Sequence, residues 1–232
     1  MVAAPTPVVF ASGQLLTERF WAPQATAFAG RSLTFADNRS DDTIAGMAGR
    51  LLATAPERFD LAAHAMGGFV AFEVMRRAPH RVRRLVLMST LAPADTPVQT
   101  ARREGYLRLV EAGRFDEVVE ERLPILLRPE RRDDPDLIGA ARMMAAETGA
   151  EAFLRQQRAI MSRPDSRPGL AAIAVPALIV AGRQDGIVTQ AHQDEMAAAI
   201  DGARLEMVAD CGHLATLEQP DVINRLLAGF LG

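Results

Sequence analysis

The sequence predicts an α/β fold: a doubly wound, mostly parallel sheet of about six strands, interrupted once by an all-helical insertion. Two observations carry this. Short, nearly continuous apolar runs at 8–11, 33–36, 60–64, 85–89, 177–181 and 205–209 alternate with longer segments of helical period, the pattern of buried parallel strands and their crossover helices. Between 92 and 168 that alternation stops, and Pro and Gly divide the stretch into helical segments.

After the second run, residues 43–55 place Ile44, Met47, Leu51 and Leu52 on one helical face, with Asp41 or Asp42 positioned to cap the first turn. The third run leads directly into a helix over 66–78, with Val70, Phe72, Val74 and Met75 as its apolar residues. The insertion reads as four helices, 97–112, 114–127, 136–148 and 150–161, separated by Gly113, Pro129, Pro135 and Gly149. Beyond it come a strand at 177–181, a helix at 189–200, a strand at 205–209 and a closing helix at 221–231. The expected organisation is a core of 1–91 and 169–232 with 92–168 inserted in it.

With 232 residues, 49% hydrophobic and 24% charged, the chain has the mix of a soluble globular domain able to bury a sizeable core. Its 26 basic and 29 acidic residues give a net charge of −3 with no long basic run, so nucleic acid is not an expected partner. Every basic residue is Arg, which excludes a Lys nucleophile or Schiff base. The single Cys211 forbids an internal disulfide, and His64, His80, His192 and His213 lack metal-ligand spacing, so neither metal nor cofactor is expected. No apolar stretch approaches the ~20 residues of a membrane span, and residues 1–13 lack a basic region ahead of their apolar run. A cytoplasmic protein without a membrane partner is the expectation.

The chemistry-bearing positions lie at strand ends. The run 60–64 passes into Ala65-Met66-Gly67-Gly68, a sharp strand-to-helix turn whose apex crowds the backbone, so that the residues two before and two after it, Ala63 and Gly67, must be small. The segment Ala63-His64-Ala65-Met66-Gly67-Gly68 resembles the nucleophile elbow of the α/β-hydrolase family, whose frequent form is Gly-His-Ser-Met-Gly-Gly. Ala65 stands where the family has its serine. The first strand is followed by Ser12-Gly13-Gln14 and then Trp21, similar to the family's oxyanion loop, although Ser12 replaces the usual His or Pro. The resemblance implies that the backbone N–H groups of Gln14 and Met66 form an oxyanion hole. Gly182-Arg183-Gln184-Asp185-Gly186 resembles the Gly-x-x-Asp turn that supplies the acid, and Asp210-Cys211-Gly212-His213 matches the family's Gly-His. In the family's order of nucleophile, acid and histidine, His213 would be the general base and Asp185 would hold its tautomer.

The resemblance runs from Val8 to the C-terminus, and the insertion corresponds to the family's cap. It points to Leu15, Trp21, Tyr106, Leu127 and Met144 as substrate contacts, with Met143 a further lining candidate. His64 is expected to pack under the turn, Cys211 to sit behind the base, and Glu117, Glu120 and Glu121 to form a solvated helix face. The implied function is a serine hydrolase acting on a small-molecule acyl substrate, first a carboxylic ester, then a lactone, amide, thioester or a carbon–carbon bond beside a ketone. The mostly apolar cap suggests a small hydrophobic acyl or alcohol group. A methyl group cannot attack a carbonyl, so the chain should bind and barely turn over. One missing side chain in an otherwise complete site reads as a deliberate Ser-to-Ala change at position 65 of an active hydrolase. Two other readings stay open: a ligand-binding relative without catalysis, and an enzyme using a His213–Asp185 dyad that needs no nucleophile.

Overall fold

A computed structural model describes residues 5–232. Strands β1 (Val8–Ala11), β2 (Leu33–Phe35), β3 (Phe59–His64), β4 (Val82–Met88), β5 (Ala177–Gly182) and β6 (Arg204–Val208) form one sheet in the order β2-β1-β3-β4-β5-β6. All five pairings are parallel. The chain moves one way from β1 to β2 and the other way from β3 onward, which makes the sheet doubly wound. β4 starts at Val82, ahead of the apolar run at 85: Val82 pairs with Phe59, and the register then shifts across Arg83 and Arg84 before Leu85 pairs with Leu61, while the two guanidinium groups reach the Leu231 carbonyl at 2.6 and 2.7 Å.

Side chains alternate across this sheet, and both faces are covered, which is why the strands read as continuous apolar runs. Val8, Phe10, Ala62, Val86, Met88, Leu178 and Val180 belong to one core cluster. It is completed by Leu214 and Ala215 near α8 (Ala215–Glu218), and by Ile223, Leu227 and Leu231 of α9 (Pro220–Leu231). Val9, Ala11, Leu61, Ala63, Leu85, Leu87 and Ile179 face the other way. They meet Met47 of α2 (Ile44–Thr54), Val70 and Val74 of α3 (Met66–Arg77), and Met196 of α7 (Gln190–Ala199). Each fully buried aliphatic or aromatic side chain contributes roughly 1.5–3 kcal/mol of transfer free energy. α2 is capped by Thr43, whose side chain accepts from the Gly46 amide, and not by Asp41 or Asp42.

Between β4 and β5 lie α4 (Pro97–Glu111), α5 (Phe115–Leu126) and α6 (Pro135–Met161). Thr96 and Gln99 form a capping box at the start of α4, and Asp134 caps α6 through the amides of Asp136 and Leu137. Two of the expected helices run together as α6, with a non-helical Gly149 (φ 75°, ψ 164°) marking the kink between them. The short helices α1 (Ala22–Ala27) and α8 carry too few turns to show a period. Among the described residues no helix is long and apolar enough to cross a membrane.

Candidate active site

The turn between β3 and α3 forces its apex residue into a conformation that side-chain-bearing residues rarely adopt. Ala65 has φ 49° and ψ −113°. Its amide donates to the Met88 carbonyl at 3.0 Å, and its own carbonyl accepts from Gly68 N–H at 2.9 Å and from the Thr90 hydroxyl at 2.8 Å. A Cβ on Gly67 would sit 2.2 Å from the Ala11 carbonyl oxygen, so only glycine lets α3 start this close to β1. On the β1 side, Asn38 Nδ2 donates to the carbonyls of Gly13 (2.8 Å) and Leu16 (3.2 Å). Ser12 bonds the loop internally: its hydroxyl receives Trp21 Nε1–H at 3.1 Å and donates to the Thr17 carbonyl at 3.3 Å. The amides of Gln14 and Met66 donate to no protein acceptor among the described residues.

At the far side of the apex, His213 Nδ1 lies 2.9 Å from Asp185 Oδ2 and 3.1 Å from Oδ1. Asp185 Oδ1 also accepts the amides of Ile187 (2.8 Å) and Val188 (3.0 Å). Burial pushes the Asp185 carboxyl up, but the charge and hydrogen bond of His213 and the two amides outweigh it, and the group lies below the usual carboxylate range. A charged Asp185 fixes the proton of His213 on Nδ1 and leaves Nε2 as the basic nitrogen. Gly182 permits the two turns to touch, since a Cβ there would meet the Cys211 carbonyl at 2.2 Å. Glu218 holds the histidine turn from below by accepting the Gly212 amide at 3.1 Å and the Arg128 amide at 3.3 Å. Cys211 is fully buried, with its thiol pushed up by burial, and does not line the cavity.

These pieces meet in a cavity of about 270 Å³ lined by Gly13, Gln14, Ala65, Met66 and His213 among others. Asp185 lies behind His213 and off the cavity wall. Of the expected substrate contacts only Tyr106 lines the wall. Leu15, Trp21, Leu127 and Met144 belong instead to the apolar core. The Leu15 amide is tied to Gln156 Oε1 at 3.1 Å, and Trp21 is fixed to Ser12. α5 stops at Leu126, so Leu126 and Ile125 face the cavity while Leu127, one residue on, turns into the core. Met144 faces inward on α6, and Met143 is half exposed at the surface. Among the described residues no group of His, Cys, Asp and Glu could hold a metal ion.

The sequence model of the Alpha/beta hydrolase family matches residues 6–226. The chain belongs to the alpha/beta hydrolase family. It is 29% identical to "Putative carbamate hydrolase RutD" of Azorhizobium caulinodans, covering 99% of this chain and 92% of that protein. It is also 29% identical to a 2-hydroxy-6-oxononadienedioate/2-hydroxy-6-oxononatrienedioate hydrolase of Escherichia coli, over 78% of this chain and 67% of that one. Among solved structures, a thermophilic esterase from Thermogutta terrifontis superposes with a TM-score of 0.89 at 24% identity, covering 99% of this chain and 90% of the esterase. The enol-lactonase from Burkholderia xenovorans gives 0.88 at 23% identity, with 99% and 92% covered.

One wall of this alpha/beta hydrolase departs from the apolar surface that the sequence suggested. Arg102, Arg103, Arg122 and Arg163 all line the cavity, and among the described residues Asp95 is the acidic side chain on the same wall. Asp95 is fully engaged: Oδ2 accepts Arg103 Nε at 2.6 Å and Oδ1 accepts Arg163 Nη1 at 2.7 Å. Arg163 also stacks on Phe69, 4.2 Å from the ring centroid. Ser89 is a further wall residue that sequence reasoning passed over; it sits at the end of β4 with φ 46° and a buried hydroxyl that has no partner among the described residues. No motif marks these positions, because an arginine on a helix reads as a solvated face.

Proposed function

We propose that this alpha/beta hydrolase cleaves a carboxylic ester or related acyl bond through position 65, His213 and Asp185, and that Ala65 removes the nucleophile from an otherwise assembled site. The observation that carries the reading is the His213–Asp185 hydrogen bond facing a strained apex in the same cavity as the Gln14 and Met66 amides. The hydrolase names of the relatives support the reaction class.

With serine at 65, its hydroxyl proton passes to His213 Nε2 as the oxygen attacks the acyl carbon, and the oxyanion is held by the Gln14 and Met66 amides. His213 then gives that proton to the departing alkoxide. A water, deprotonated by the same nitrogen, attacks the acyl-enzyme, and His213 returns that proton to the serine oxygen as the acyl–oxygen bond breaks and the acid leaves. Helices α4 to α6 act as the cap that closes the site and contacts the substrate. Loss of the serine in this kind of triad costs on the order of 10⁶ in turnover, so the Ala65 chain binds without forming an acyl-enzyme.

The test is Ala65→Ser, assayed on short p-nitrophenyl esters beside the unchanged chain. Hydrolysis that appears only with serine supports the reading. A serine variant inert against esters, lactones and amides overturns it in favour of a ligand-binding role. Activity already present with Ala65 and abolished by His213→Ala assigns the chemistry to the dyad alone.

A further inference from the structure

We propose that the ligand of this cavity carries a carboxylate, received by Arg122 and Arg102 on the wall contributed by α4 and α5. The proposal rests on the hydrolase reading for the position of the carbonyl, and on the charge of the wall for the rest.

Four guanidinium groups border the cavity with one carboxylate, Asp95, among them; Glu121 lies off the wall, accepts the Tyr106 hydroxyl at 3.0 Å, and favours the charged form of Arg122 from a distance. Asp95 already spends both oxygens on Arg103 and Arg163, which leaves Arg122 and Arg102 without a carboxylate within 4 Å among the described residues. Among the described residues the Arg122 side chain makes no hydrogen bond: its Nε is buried without a partner, and the cation rests on the faces of Tyr106 and Phe153, 5.7 and 6.0 Å from their centroids. Burial, together with the nearby charges of Arg103 and Arg102, pulls the Arg122 guanidinium down to about 10, still charged at neutral pH. Holding an unpaired cation in this place is unfavourable until an anion arrives, and a guanidinium recognises a carboxylate through two parallel N–H bonds. An ammonium-bearing ligand meets repulsion from the same wall. A wholly apolar ligand desolvates the arginines and returns nothing to them.

The test uses one matched pair, the mono-p-nitrophenyl ester of glutaric acid and its neutral methyl diester analogue, with the Ala65→Ser protein, and glutarate itself with the unchanged chain. The expected result is a kcat/KM at least ~10-fold higher for the anionic ester, falling towards parity in Arg122→Met and Arg102→Gln. Arg102 is exposed, so its variant keeps the comparison interpretable if Arg122→Met fails to fold. Calorimetry should show glutarate binding to the Ala65 chain, weakened by either substitution and by added salt. If the serine variant hydrolyses the neutral ester as well as the anionic one, the carboxylate site is wrong and the hydrolase reading stands. If neither ester is cleaved but glutarate binds in an Arg122-dependent way, the hydrolase reading falls and the anion site stands. Absence of both preference and binding overturns the proposal.

Discussion

His64 Nε2 lies 2.9 Å from the backbone carbonyl oxygen of His213. The residue before the apex thus donates to the main chain of the residue proposed as base, and couples the elbow to the histidine turn. Burial and the neighbouring His213 drive the His64 pKa down to about 3, so its ring stays neutral with the proton on Nε2.

That burial makes stability depend on pH with a definite sign. Unfolded His64 binds a proton near pH 6.5 and the native ring only near 3, so stability is fully present above about pH 6.5 and declines as pH falls through this window, with a slope approaching ~1.4 kcal/mol per unit. The depressed Asp185 adds a loss of the same sign only below about pH 4. Urea midpoints between pH 7 and 4 should show a steeper decline for the unchanged chain than for His64→Gln, whose amide still donates to the carbonyl. Equal slopes would remove His64 as the cause.

Gly67→Ala should cost more than ~3 kcal/mol or abolish soluble expression, because the added carbon meets the fixed Ala11 carbonyl of β1 at 2.2 Å. The control is Gly139→Ala in α6, which meets nothing within 4 Å and should be neutral or stabilising by up to ~1 kcal/mol. Thermal melts of the two variants decide it, and similar melting temperatures would contradict the close approach.

Asp95→Ala strands two guanidinium groups, one of them on the nearly buried Arg163, and should cost about 3–5 kcal/mol in chemical denaturation. Adding Arg163→Met should return part of that loss, since the second change removes the uncompensated charge. A loss below ~1 kcal/mol for the single variant would mean that the carboxylate does not anchor α4 and α6.

In the Ala65→Ser background, Asp185→Asn should lower kcat by about 10³–10⁴-fold, since an amide nitrogen cannot accept the Nδ1 proton and His213 loses its productive tautomer. Steady-state kinetics with a short aryl ester measures this. A variant within tenfold of its parent would take Asp185 out of the proposed mechanism.

The strands, the elbow and the two turns were legible because each is dictated locally. Gly67 and Gly182 mark main-chain contacts that exclude a Cβ, and the apolar runs mark strands covered on both faces. The cavity wall was not legible, because it depends on how three helices rotate against the sheet. A single residue of rotation at the end of α5 exchanges Leu127 for Leu126, and the Asp95–Arg163 ion pair joins positions 68 apart in the chain. Neither relation leaves a period or a spacing in the sequence. The same holds for Arg122, whose guanidinium rests on Tyr106 of α4 and Phe153 of α6, residues distant in the chain.

The two outer strands bear on how the protein behaves in concentrated solution. Among the described residues, β2 has three residues, and β6 opens on Arg204, which is ion-paired to Glu206 at 2.8 Å. A short border on one side and a charged one on the other give a neighbouring chain no long apolar ladder to extend. The sheet therefore ends in features that oppose intermolecular strand addition, the step from which β-aggregates grow.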